Sequence, residues 1–203
     1  MRHLKTMAVL LCAATFAVSA AEGSEYVCSL QVGNYTAEQS SSKGGGKKTS
    51  SGRHKKTTVQ TKTTSRSLSW PVTVSFSGKS LPASGIVKLE CHFIGTTDGH
   101  PEFLGEETIP VELDEKGRFK TEVTSPTEQL VRKKTTTTTR RGRGRRRVGS
   151  TSVKSEMTGS RVTGCILQLT VNGKVERAFA SNSKWIPFAK KSPLPEDEIL
   201  KTK

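Results

Sequence analysis

Alternation is the strongest constraint on this fold. From Leu68 to Phe76, every second residue is large and apolar: Leu68, Trp70, Val72, Val74 and Phe76. Successive side chains of an extended strand point to opposite faces, so this spacing makes a half-buried strand and does not fit the helical period of about 3.6 residues. The same period-two pattern recurs along the chain. Tyr26, Cys28, Leu30 and Val32 share one face, as do Val87, Leu89, Cys91 and Phe93. Ile109, Val111 and Leu113 follow, then Phe119, Thr121 and Val123, and later Thr163, Cys165, Leu167, Leu169 and Val171.

Turn chemistry separates these runs. Asp98-Gly99 and Asn172-Gly173 are two-residue hairpin signals, because both positions of each pair tolerate positive φ. Asp114 to Gly117 reads as a further turn, making much of the chain a meander. Pro71 has no N–H to give to a ladder, so the strand at 68–76 is expected to start late or to lie at an edge. Long helical periodicity is absent. Only Lys184 to Lys190, with Trp185, Ile186 and Phe188, suggests a short turn of helix, and 191–203 reads as a loose tail. The expected fold is all-β, an antiparallel β-sandwich of immunoglobulin-like or similar meander topology, with a partly open barrel as the alternative.

Two segments break the apolar alternation. Lys43 to Arg66 contains eight Lys/Arg and Arg132 to Arg147 contains nine, and neither contains an Asp or Glu. The whole chain has 33 Lys/Arg against 18 Asp/Glu, so the rest of it beyond the leader is mildly acidic. Each tract joins a Thr-rich stem (57–66 and 132–139) to a basic, Gly-containing part, and Ser150 to Ser160 leads back to a core strand. Threonine favours extended backbone, yet these stems have no apolar face to bury. Two readings follow: strands that project beyond the core, or disordered insertions. The Gly44-Gly45-Gly46 stretch is read as a mobile tip.

Guanidinium and ammonium groups in such density bind carboxylate, sulfate or phosphate. The candidate contacts are Lys47, Lys48, Arg53, Lys55 and Lys56 in the first tract, and Arg140, Arg141, Arg143, Arg145, Arg146 and Arg147 in the second. Neither tract contains Phe, Tyr or Trp, so binding should be electrostatic and salt-sensitive, without base stacking. The expected partner is a polyanion of low specificity: an acidic glycan, an anionic envelope surface or nucleic acid. Arg143 to Arg146 also reads as a dibasic processing site on an exposed segment.

The N-terminus has the form of an export signal. Arg2, His3 and Lys5 precede an apolar stretch from Met7 to Val18, and small residues at Val18 to Ala21 offer a cleavage site. Residues 1–21 are thus expected to be removed, leaving one domain over 22–190 with basic insertions at about 40–66 and 132–160. The expected location is secreted or periplasmic, and no segment has the length and hydrophobicity of a transmembrane helix. Of the cysteines beyond the leader, Cys28 and Cys165 are the candidate disulfide pair and Cys91 is left over.

No phosphate loop, metal-ligand spacing, nucleophile elbow or catalytic pair stands out. No cofactor or metal is expected, and Asp98 and Gly99 near His100 are accounted for by a turn. The resulting reading is a non-enzymatic protein that contacts polyanionic surfaces. The second is a structural or self-assembling protein whose Thr-rich strand extensions pair between copies as a homo-oligomer. The third is an enzyme whose residues converge from distant positions.

Overall fold

The computed structural model describes residues 26–50, 55–78, 81–82, 85–141 and 148–202. Nine antiparallel strands form one hydrogen-bonded set: β1 (Tyr26–Val32), β2 (Thr36–Ser50), β3 (Lys55–Gly78), β4 (Val87–Thr97), β5 (His100–Pro110), β6 (Arg118–Thr124), β7 (Glu128–Arg141), β8 (Val148–Val171) and β9 (Lys174–Ala180). The all-β antiparallel class matches the alternation.

Two strands of 24 residues organise the set. β3 pairs with β1 and then β2 along one side, and with β6 and then β7 along the other. β8 pairs with β7 over its first half and with β4 over its second, where β9 also joins it. β5 completes the order beyond β4. Because β8 ladders with both β7 and β4, the strands are a single set.

The core contains the residues that the alternation selects. Leu68, Trp70, Val72, Val74 and Phe76 of β3 pack with Leu89, Cys91 and Phe93 of β4 and with Val162, Cys165, Leu167 and Leu169 of β8. The Trp70 and Phe93 rings, from strands that share no ladder, lie 6.1 Å apart between centroids. Burying such rings stabilises each by about 1.5–3 kcal/mol. A second cluster joins Ile94 and Ile166 to Trp185, Ala189 and Ile199. Trp185 closes a 3₁₀ turn (Ser183–Trp185), and Ala189 closes α1 (Ile186–Ala189). Ile199 belongs to α2 (Glu196–Lys201).

The turn at Asp98-Gly99 joins β4 to β5 and that at Asn172-Gly173 joins β8 to β9, with Asp98 and Asn172 both at φ 51°. Three expectations are corrected. The Asp114–Gly117 turn is not a hairpin, because it links β5 to β6, which bond to different strands. The strand containing Pro71 is central, not an edge. The Pro71 carbonyl accepts from Gly33 N at 2.8 Å, so its missing N–H faces the break between β1 and β2, where no ladder partner is lost. Finally, 191–203 is not a loose tail: α2 buries Ile199 to 1% exposure, and the buried Gln168 side chain holds the Ala189 and Lys191 carbonyls at 2.8 Å.

Candidate polyanion-binding face

Beyond the core, the strands continue as a four-stranded extension in the order β2-β3-β7-β8. Lys55–Arg66 of β3 pairs with β2 on one side and with Glu128–Thr139 of β7 on the other, and Val148–Gly159 of β8 closes the far side. The Thr-rich stems are therefore strands, and they pair with each other. Residues 51–54, between β2 and β3, and 142–147, between β7 and β8, lie outside the described residues. The Gly44–Gly46 stretch is not a tip: it runs inside β2, at a register shift between Gly44 and Lys47.

Pleating sorts the extension into two faces. Thr57, Thr61 and Thr63 of β3 share one face with Thr135, Thr137 and Thr139 of β7, where β-branched side chains suit a pleated surface. The opposite face continues the one that holds Leu68 and Trp70 in the core, and here the apolar residues give way to cations. Lys62 stands directly opposite Lys43 on β2 and directly opposite Arg132 on β7. One row along, Lys134 stands opposite Gln60, and Lys56 lies further out opposite Thr138. Lys43, Lys56, Lys62, Arg132 and Lys134 are all exposed.

Among the described residues, this face holds one acid, Glu128, at the foot of the extension. It is buried to 1% and taken by Arg66, through Nε to Oε2 and Nη2 to Oε1, both at 2.9 Å. Glu128 Oε1 also accepts from Val162 N at 2.7 Å, fastening the foot to β8. The hydrogen bond to Glu128 raises the Arg66 pKa above its ordinary value, against the effect of burial. Among the described residues, none of the other cations on the face has a carboxylate partner.

The expected contacts are distributed as follows. Lys56 lies on the cationic face. Lys47, Lys48 and Lys55 are strand positions, opposite Val59, Thr58 and Thr139. Arg140 and Arg141 end β7 opposite Gly149 and Val148. Arg53, Arg143, Arg145, Arg146 and Arg147 lie outside the described residues, as does the dibasic segment. The structure adds Lys43, Lys62, Arg132 and Lys134. Their only sequence signal was membership in an acid-free run; the row of Lys43, Lys62 and Arg132 needs strand register to be seen.

Several other polar groups near the face are engaged within the chain. An open cleft of about 540 Å³ beside the foot is lined by Thr97, Glu102, Leu104, Pro126, Glu128 and Val162 among others. Glu102 accepts a hydrogen bond from Thr97 Oγ1 and Glu128 is clamped by Arg66, so both carboxylates have partners. Asp98 Oδ1 accepts from Gly159 N at 2.7 Å, where β8 passes from β7 to β4. His92 differs: its Nδ1 lies 3.3 Å from Glu106 Oε1, yet neither ring nitrogen has a hydrogen-bond partner among the described residues.

Cys28, Cys91 and Cys165 are buried free thiols, so the expected Cys28–Cys165 bridge is not present. The thiol that acts electrostatically on Cys165 is Cys91, on the neighbouring strand. Burial pushes all three thiols up, Cys91 to about 12, which makes them poor nucleophiles.

Among the described residues no helix is long and apolar enough to cross a membrane. No protein-family model, curated protein or solved structure matches the chain.

Proposed function

We propose that this is an exported, non-enzymatic β protein that holds polyanions against the cationic face of its four-stranded extension. The observation that carries the reading is the row Lys43–Lys62–Arg132. Strand neighbours lie about 4.8 Å apart, well inside the ~8 Å Debye length of physiological salt. Like charges set directly opposite destabilise a sheet. A row of three with no carboxylate on its face beyond the one Arg66 holds is an arrangement that an external polyanion relieves. Acidic glycans, anionic envelope surfaces and nucleic acids supply the same repeating negative charge. The absence of aromatic residues from this face supports charge recognition without base stacking.

The test is salt-dependent retention on heparin and on single-stranded DNA. Each cation that contacts phosphate contributes roughly 0.7–0.9 to the slope of log affinity against log salt. Replacing Lys62, Arg132 and Lys134 together with Gln should lower that slope by about two to three. Retention and slope unchanged from the parent chain would refute the proposal.

Export is supported by the apolar stretch from Met7 to Val18 behind Arg2 and Lys5. Intact mass of the protein recovered outside the cell should correspond to a start at Ala21 or Glu22. A mass that retains the leader would count against export by this route.

A further inference from the structure

The outer edge of β8 from Thr151 to Thr158 is open, and Gly159 beyond it is taken by Asp98. Among the described residues, the backbone of this stretch bonds only to β7. An unpaired edge of this length is a template for strand addition. Along it run Val153, Lys154, Ser155, Glu156 and Met157. Val153 and Met157 are 55% and 65% exposed, and their register partners Thr136 and Arg132 place them on the cationic face. Lys154 and Glu156 take the opposite face, across from Thr135 and Lys133.

This segment is self-complementary about Ser155. We infer that β8 pairs antiparallel with β8 of a second copy around a two-fold axis at Ser155, joining two four-stranded extensions into one eight-stranded sheet. A two-fold contact presents the same patch twice, so the patch must complement itself. With Ser155 opposite its own counterpart, Lys154 falls opposite Glu156 of the second copy, and Glu156 opposite Lys154 of the second copy. Val153 and Met157 meet in the same way, so that their exposed side chains cover each other. Both kinds of cross-strand pair are favourable.

Neighbouring registers lack this property. A slip of one residue sends side chains to opposite faces and breaks the two-fold relation. Centring on Lys154 sets that lysine opposite itself, and centring on Glu156 does the same with the carboxylate. Of these three symmetric registers, only the one at Ser155 pairs opposite charges.

The pairing runs from Ser152 to Thr158 of each copy, because from Gly159 onward the same edge is held by Asp98, Thr97, Thr96 and Gly95. A two-fold axis normal to the sheet keeps both cationic faces on one side, which doubles the cationic surface. The pairing uses Lys154 and Glu156 from the other face, so it stands independently of polyanion binding.

Sedimentation velocity of the full secreted chain, from micromolar to sub-millimolar concentration at physiological ionic strength, should show a monomer–dimer equilibrium. Lys154→Glu and Glu156→Lys each set like charges opposite one another at both symmetric positions, and each should weaken the dimer by about tenfold or more. Mixed in equal amounts, the two variants restore opposite charges at both positions and should form a heterodimer. Independently, Ser155→Cys should be joined to itself by a short thiol-to-thiol crosslinker, because directly opposed residues have Cβ atoms about 4.5–5.5 Å apart. Ser152→Cys should not, since it falls opposite Thr158. A chain that stays monomeric, charge variants that dimerise like the parent, a mixture that fails to associate, or a Ser155→Cys protein that does not crosslink would each overturn the inference.

Discussion

Arg66 and Glu128 stand opposite each other across the β3–β7 ladder and are joined by two parallel hydrogen bonds of 2.9 Å. The carboxylate has the deeper position, 1% exposed against 25% for the guanidinium. Here the core ends and the hydrated extension begins. A sheet with water on both faces has little apolar burial of its own and needs an anchor. The clamp, together with the bond from Val162 N to Glu128, ties β3, β7 and β8 together at that boundary.

Glu128→Ala should therefore destabilise the protein by about 3–5 kcal/mol, the usual effect of removing one partner from a buried ion pair. It also leaves the Val162 N–H without its acceptor, at a penalty of about 1–3 kcal/mol that is included in that figure. The double substitution Arg66→Met/Glu128→Leu should recover much of the loss, since no charge is then left unpaired. Urea midpoints of the three proteins decide it. A Glu128→Ala midpoint equal to the parent's would show that the clamp is not an anchor.

Gly159 marks the point where β8 exchanges one partner strand for another. Its φ is +114°, and a Cβ built there would lie 1.8 Å from the Gln129 carbonyl oxygen. Gly173, in the β8–β9 hairpin, has φ +76° but nothing within 4 Å of the same built atom. Gly173→Ala should thus show only backbone strain, about 1 kcal/mol or slightly more. Gly159→Ala adds a clash with backbone that cannot rotate away, and it should exceed Gly173→Ala by several kcal/mol or prevent folding. Thermal melts of both variants test the order, and equal shifts would contradict it.

The buried thiols predict alkaline instability. Cys91 ionises at about 12 against an ordinary 9.0, and Cys28 and Cys165 are displaced in the same direction, all chiefly by burial. The folded chain thus keeps protons that the unfolded chain releases. Stability is complete below about pH 9 and falls as pH rises toward the folded value, by about 1.4 kcal/mol per pH unit for each such thiol. Urea midpoints between about pH 8 and pH 11 should decline accordingly. Cys91→Ala should flatten the decline, although it lowers stability at neutral pH by leaving a cavity. A decline just as steep without Cys91 would assign it to other groups.

Strands were legible wherever apolar residues mark one face, because burial enforces the period at Leu68–Phe76 and Val87–Phe93. Hairpins were legible where two adjacent residues take positive φ, as at Asp98-Gly99. The outer halves of β3 and β8 were only half legible. Their Thr, Ser and Lys positions alternate without an apolar marker, and the ladders that hold them join distant stretches such as Thr57 and Thr137. The sign of the site's charge could be read from composition. Its arrangement could not, since Lys43, Lys62 and Arg132 become neighbours only through two separate registers. α2 was obscured by its charged composition, which hid the single buried Ile199.

The row Lys43–Lys62–Arg132 links stability to binding. Lys62 is flanked on both sides by like charge, so Lys62→Gln should stabilise the unliganded protein by about 0.2–1 kcal/mol, the reverse of the effect of opposed like charges in a sheet. The same change should weaken retention on heparin and lower the salt slope by roughly 0.7–0.9. Arg132→Gln should follow the same pattern less strongly in stability, because its other ladder neighbour is the uncharged Met157 and its Nε donates to Ser155 Oγ at 3.1 Å. A substitution that merely damages the fold lowers stability and retention together. Opposite signs for Lys62→Gln, read from urea midpoints and from salt-gradient elution, are what a face strained by its own charge produces. Loss of stability in Lys62→Gln would mean that the row is relieved within the chain and has no need of an external anion.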